Sequence, residues 1–250
     1  MGCANTDPVH QGLQHVLMER FSMSEGGVKV RATSLAVKRS TRVPQVLTPR
    51  VTVLFADLRG YTGLAERLPP ARIVPLLDEF FGLLASATTL HGGRIFHMAG
   101  DGMMAGFGVG TQGSPNEGAR DALGAGYAML KHFAALATRW RNELAIETGV
   151  GVGLHSGEVA MGLLGPPGRK TMTLVGDTVN VAARLCSRAR AGEVLLSCTV
   201  AAALNIEDGA REMYVGPIPV LQLPQFSLRG RSAPLDIWCV PAMERVGVLV

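Results

Sequence analysis

The sequence has little that would tie it to a membrane, a disulfide framework or a nucleic acid. Its four cysteines, at positions 3, 186, 198 and 239, form no C-x-x-C pair. That removes the usual ligand spacing of a zinc site and the paired pattern of a disulfide-rich fold. There is no continuous apolar run long enough for a transmembrane helix, and the start lacks the basic and apolar regions of a signal peptide. Membrane insertion is therefore not expected, and the chain reads as cytoplasmic. The opening MGCANT matches the N-myristoylation pattern at Gly2 and Thr6, but so short a match carries little information. Charged residues make up only 18% of the chain and the formal net charge is +4. The basic residues are scattered, so no nucleic-acid partner is expected. Neither a Rossmann nor a Walker phosphate loop is present: GFGVGTQG lacks the Lys-Ser/Thr ending.

What is present is apolar sequence. With 47% hydrophobic residues over 250 positions, the chain can bury the core of one large domain. Residues 1–49 read as a leader or linker. It holds an amphipathic stretch at 13–21 that suits a short regulatory helix, and a loosely basic lead-in of Arg31, Lys38, Arg39 and Arg42 runs up to Arg50. Pro44 and Pro49 bracket the junction. The folded domain is expected over residues 50–240, with a C-terminal tail at 241–250.

Within that domain, residues 51–56 are β-branched and apolar and predict a buried strand. Residues 62–90 carry apolar positions at helical spacing (Ile73, Leu76, Leu77, Phe80, Leu83, Leu84), with interruptions near Pro69, Pro70 and Pro75. Residues 94–99 and 103–108 predict two strands joined at Gly100-Asp101-Gly102. A second long helix follows at 117–142. Two strands are then expected to turn near Ser156-Gly157, with a third helix at 177–189. The order strand, helix, two strands, helix, strand predicts an α+β fold. Its core is a ferredoxin-like βαββαβ arrangement, an antiparallel sheet with helices on one face.

Two carboxylates stand out. Asp57 is read as ending the first strand and Asp101 as sitting at the hairpin turn, so this topology brings both to one sheet edge. Paired carboxylates repel, and a hard divalent cation such as Mg²⁺ or Mn²⁺ relieves that conflict. The carbonyl of Leu58 is a third candidate ligand. Arg59, Gly60, Tyr61 and Thr62 lie where strand gives way to helix, and free backbone N–H groups there suit phosphate oxygens. From spacing alone a second reading stays open, a helix capped by Thr62 with Asp57 held by local hydrogen bonds.

Five segments then act together: VTVLFADLRGYTGLAE, HGGRIFHMAGDGMMAGFG, VGVGLHSGEVAMGLLG, TLVGDTVNVAARL and FSLRGRSAPLDIWCV. In this order they resemble the catalytic domain of class III nucleotidyl cyclases, the adenylyl and guanylyl cyclase family, over about residues 50–240. The resemblance implies conversion of a nucleoside triphosphate to a 3′,5′-cyclic monophosphate and pyrophosphate, with two metal ions per site held by Asp57 and Asp101. It implies that Asn180 orients the ribose, that Arg184 stabilises charge on the α-phosphate and that Arg229 touches the terminal phosphates. It also implies a homodimer with shared active sites. Asp57 and Asp101 would come from one subunit, and Asn180, Arg184, Thr173 and Arg229 from the other.

One position departs from the pattern. Adenylyl cyclases usually carry lysine where this chain has His97; the partner position, often aspartate or threonine, is Thr173. Guanylyl cyclases pair glutamate with cysteine or serine, and neither is here. Histidine and threonine can both donate to an adenine edge, so the expected reaction is ATP to cyclic AMP. Relaxed specificity, guanylate cyclisation and a catalytically inactive dimerising signalling domain remain the alternatives.

Overall fold

The computed structural model describes residues 46–110, 115–206, 209, 212–226 and 234–242. Most of the expected leader, the residues 243–250 and Arg229 lie outside the described residues.

Strand β1 (Arg50–Arg59) is apolar along most of its length because it is covered on both faces. After it come α1 (Tyr61–Arg67), α2 (Pro70–Leu90), β2 (Arg94–Ala99), β3 (Gly102–Phe107) and α3 (Pro115–Leu144). The chain continues through β4 (Gly149–Glu158), the hairpin β5 (Ala160–Leu164) and β6 (Thr171–Val175), α4 (Asp177–Arg188) and β7 (Glu193–Ser197). It closes with α5 (Cys198–Ala203), β8 (Glu212–Val215), β9 (Ile218–Phe226) and β10 (Leu235–Val240). The main sheet has the order β2-β3-β1-β4-β7-β10-β9-β8, and β5-β6 forms a separate ribbon. The first four strands pair antiparallel in the ferredoxin-like order, while β4 and β7 run parallel.

The expected 62–90 helix is two helices. Leu68 and Pro69 separate them, and Pro70 opens α2 at a position where its missing N–H costs nothing. Pro75 lies inside α2 without ending it, because the stripe Ile73, Phe80, Leu84 and Ala87 is held in the core. By length and composition α2 is also apolar enough to cross a membrane, yet that stripe is packed within the domain. Phe80 meets Phe133 of α3 edge-on, and Phe133 meets Trp140 in the same way, at centroid distances of 5.6 and 5.7 Å. Helix α2 stops at His91, whose Nδ1 lies 2.9 Å from the Ala87 carbonyl, and Gly92 takes the left-handed φ of 70° there.

One expected turn needs correction. Ser156 and Gly157 do not turn; they lie in β4 opposite Thr52 and Val51. The buried hydroxyls of Thr52 and Ser156 hydrogen-bond each other at 2.7 Å, which satisfies both polar groups inside the ladder. The turn comes one strand residue later, after Glu158. The two helices of the βαββαβ core, α2 and α3, share one face, while α4, which follows that core, lies on the other. In β4 the sequence GVGVGL alternates, and Val150, Val152 and Leu154 join the core cluster with α2 and α3. The intervening glycines form the opposite face, against which α4 lies. A Cβ on Gly153 would run into the Cys186 backbone nitrogen and come within 2.5 Å of the Ala182 carbonyl. Val181 and Leu185 of α4 then pack with Leu195, Ile237 and Cys239 on that same side. Only a strand without side chains on alternate residues lets a helix backbone approach this closely.

Gly153→Ala is therefore expected to push α4 off the sheet. We expect about 1–3 kcal/mol of destabilisation in urea unfolding, the usual cost of overpacking. A variant as stable as the parent would mean that the close approach does not hold the helix.

Candidate active site

The alternation that sends Leu54, Ala56 and Leu58 into the α2/α3 core sends Phe55, Asp57 and Arg59 to the α4 side. Asp57 does not end β1. The strand runs on to Arg59, and Asp57 sits between Gly102 of β3 and Gly151 of β4. Two glycine neighbours leave its carboxylate uncrowded; Oδ1 is 3.7 Å from where a Cβ on Gly102 would stand. The β2–β3 hairpin closes through Gly100 at φ 61°, a left-handed angle that glycine adopts without strain, and Asp101 follows. The Leu58 N–H donates to the Asp101 carbonyl at 3.0 Å, which pins the turn to the strand.

The expected juxtaposition of Asp57 and Asp101 is thus present. Burial, countered by the Arg59 guanidinium and reinforced by the Asp101 charge and a hydrogen bond with it, pushes the Asp57 carboxyl up to about 6. The Arg59 Nη1 donates to Asp57 Oδ2 at 2.7 Å. Its Nη2 donates to the Cys186 carbonyl at 2.6 Å and approaches Cys186 Sγ at 3.4 Å. The Arg59 guanidinium is thus committed to protein groups, whereas the phosphate expectation for residues 59–62 concerns backbone N–H groups. The Cys186 thiol donates to the Gly151 carbonyl at 3.3 Å, and burial pushes it up to about 12.

Gly60 has φ 79° and precedes α1 with no side-chain cap on that helix. Thr62 lies exposed in the first turn instead of capping it, so the capped-helix alternative loses its cap. Tyr61 packs partly against the core. On α4, Asn180 is exposed and Arg184 half-buried, one turn apart. Among the described residues no hydrogen bond or ion pair joins either to Asp57 or Asp101.

His97 is exposed on β2 beside a bulge, and Thr173 is half-buried in β6, opposite Gly162. Their neighbours Phe96 and Leu174 belong to one cluster and would both meet a Cβ on Gly106 at 3.1 Å. Within one protomer, then, the packing sets β2, which carries His97, against the ribbon strand β6, which carries Thr173. The residues that motif reading missed are Cys186 and Gly151. The GVGVG alternation was the available signal, since it marks a strand face open to close approach.

The donor set fits a hard cation. Asp57 is paired with Arg59, Asp101 lies beside it, and both offer oxygen donors. No cluster of three or more His, Cys, Asp or Glu is present among the described residues. A cation held here would need further oxygens, such as those of phosphates and water.

Comparisons with known proteins follow the same direction. A family model described as the adenylate and guanylate cyclase catalytic domain matches residues 43–227. An adenylate cyclase of Anabaena cylindrica is 34% identical over 147 residues, 55% of this chain and 27% of that protein. An uncharacterized protein of Mycobacterium tuberculosis is 34% identical over 164 residues, 64% of this chain and 28% of that protein. The chain spans little more than a quarter of the length of these curated relatives. Among solved structures, the adenylyl cyclase CyaB from P. aeruginosa matches with a TM-score of 0.71 at 28% identity, covering 78% of this chain and 95% of that one. The guanylyl cyclase Cya2 matches with 0.67 at 29%, covering 79% and 94%.

Proposed function

The chain belongs to the adenylate and guanylate cyclase catalytic-domain family, and from that premise we propose that it converts ATP to 3′,5′-cyclic AMP and pyrophosphate as a homodimer. The observation that carries this reading is the contact between Asp57 and Asp101, a half-buried anionic pair only partly neutralised by Arg59. Such a pair is costly unless a cation joins it.

Asp57, Asp101 and the Leu58 carbonyl would hold two Mg²⁺ or Mn²⁺ ions. When bound, these lower the pKa of the ribose 3′-hydroxyl and offset phosphate charge. The protein's own groups do the rest. Asn180 orients the ribose by hydrogen bonding. Arg184 presents its fork of donors to the α-phosphate, where charge builds as the 3′-oxygen attacks and pyrophosphate leaves. The backbone from Arg59 to Thr62 receives phosphate oxygens, as Arg229 would from beyond the described residues. No dedicated side-chain base is needed in this scheme.

The proposed site is shared across a two-fold axis, with Asn180 and Arg184 of one protomer completing the carboxylate site of the other. Asp57→Asn and Arg184→Ala chains should each be inactive alone. The heterodimer should regain about half of parental turnover, and a freely exchanging equimolar mixture about a quarter, because one of the two sites in the heterodimer keeps every group. Demonstrated heterodimers without recovered cyclisation would reject the shared site.

The base is assigned from side-chain chemistry, because an adenylyl and a guanylyl cyclase resemble the chain about equally. Thr173 and His97 would read the adenine edge. A neutral imidazole offers either a donor or an acceptor, so discrimination is weaker than a lysine would give. Guanylate cyclisation is the second reading, favoured by the likeness to Cya2. His97→Lys should raise the ATP-to-GTP ratio of kcat/KM by about 5- to 150-fold, the value of one buried hydrogen bond of about 1–3 kcal/mol. Competitive cyclisation of mixed nucleotides measures it. An unchanged ratio would remove His97 from the base pocket, and a parental preference for GTP would overturn the adenylate assignment.

A further inference from the structure

Arg59 connects two parts of the protomer that the shared-site reading assigns to different active sites. One nitrogen of its guanidinium holds the Asp57 carboxylate, and another holds the Cys186 carbonyl of α4. Cys186 lies two residues beyond Arg184 on the helix that also carries Asn180. The guanidinium is planar and rigid, so its two bonds have a fixed relative geometry. It is also closely housed. A Cβ on Gly151 would come within 2.5 Å of Nη2 and 2.8 Å of Cζ, and the Cys186 thiol bonds the Gly151 carbonyl beside it. Arg59 Nε is buried there with no hydrogen-bond partner among the described residues. A surface arginine seeking a phosphate would not be built in this way.

We propose that Arg59 is a positioning residue that couples the two active sites of the dimer. It orients the metal-ligand carboxylate of Asp57 in one site and fixes the α4 helix that presents Asn180 and Arg184 to the other. A shift of either partner is passed to the second through one rigid group. The coupling rests on the shared-site reading above; the orientation of Asp57 within a protomer does not.

The complementing heterodimer separates the two effects. Its surviving site takes Asp57 and Asp101 from the Arg184→Ala chain, and Asn180 and Arg184 from the Asp57→Asn chain. Arg59→Gln placed in the Arg184→Ala chain disturbs the surviving carboxylate and should weaken the Mn²⁺ dependence of turnover by about 10-fold, as loss of a ligand-orienting partner does. Placed in the Asp57→Asn chain, it can act on the surviving site only through α4. There it should lower kcat by about 10-fold with the Mn²⁺ dependence unchanged, since small misplacements of positioning groups cost that much.

A readout free of activity accompanies these. Mn²⁺ titration of the homodimers without nucleotide, followed by electron paramagnetic resonance, should show about 10-fold weaker binding in Arg59→Gln. Arg59→Lys keeps a cation beside Asp57 but cannot span both partners. It should restore Mn²⁺ binding and leave the α4 effect in place, and it carries the comparison should Arg59→Gln fail to fold by circular dichroism. Unchanged Mn²⁺ binding in both variants would overturn the orienting role. A surviving site indifferent to Arg59→Gln and Arg59→Lys in the Asp57→Asn chain would overturn the coupling alone. Failure of the parent pair to complement would overturn the shared site and the coupling with it, while the Mn²⁺ titration would still decide the orienting role.

Discussion

Asp57, half-buried between β3 and β4, lies beside Asp101 of the β2–β3 hairpin and is ion-paired with Arg59. Burial and the neighbouring Asp101 charge raise the proton affinity of Asp57, and the Arg59 guanidinium only partly offsets them. Much of the local architecture follows from holding the two carboxylates there. The glycines opposite Asp57 keep its carboxylate uncrowded, the Leu58 N–H fixes the hairpin that carries Asp101, and Gly100 allows that hairpin to close. A group poised in this way is better suited to bind a cation than to stabilise the fold by itself.

The same sheet carries a second device on β4. Its side chains divide the strand into a face of valine and leucine for the α2/α3 core and a face of glycine for α4. The helix backbone can then lie close enough for the Cys186 carbonyl to reach Arg59, which in turn reaches Asp57. Packing and chemistry are thereby linked: the fit of α4 on Gly153 helps determine where Asn180 and Arg184 stand.

The strand-helix order is legible in the sequence because β1, α2 and α3 carry strong apolar patterns. The hairpin at Asp101 is legible because Gly100 and Gly102 bracket it. The carboxylate pair follows from those two features once the βαββαβ order is adopted, and Asn180 and Arg184 follow from a motif. What escapes is long-range or conditional. The inward turn of Arg59 depends on Cys186, 127 positions away, and on an empty glycine face that local propensity does not report. The extension of β1 past Asp57 depends on pairing with β4, so a carboxylate that reads as the strand's end lies inside it. Ser156-Gly157 has turn-like composition, yet the buried hydroxyl pair with Thr52 keeps it in the ladder. Pro75 is likewise overruled by tertiary packing of the helix that contains it.

The central claim is that Asp57 and Asp101 of one protomer meet α4 of another around a single nucleotide. The most direct measurement is a crystal structure of the dimer with Mn²⁺ and an ATP analogue lacking the 3′-hydroxyl, with the metal located by anomalous scattering. The account predicts Mn²⁺ coordinated by both carboxylates, and the analogue's α-phosphate within hydrogen-bond reach of the partner subunit's Arg184. Mn²⁺ bound away from Asp57 and Asp101, or an α-phosphate held by Arg184 of the protomer that supplies those aspartates, would contradict it.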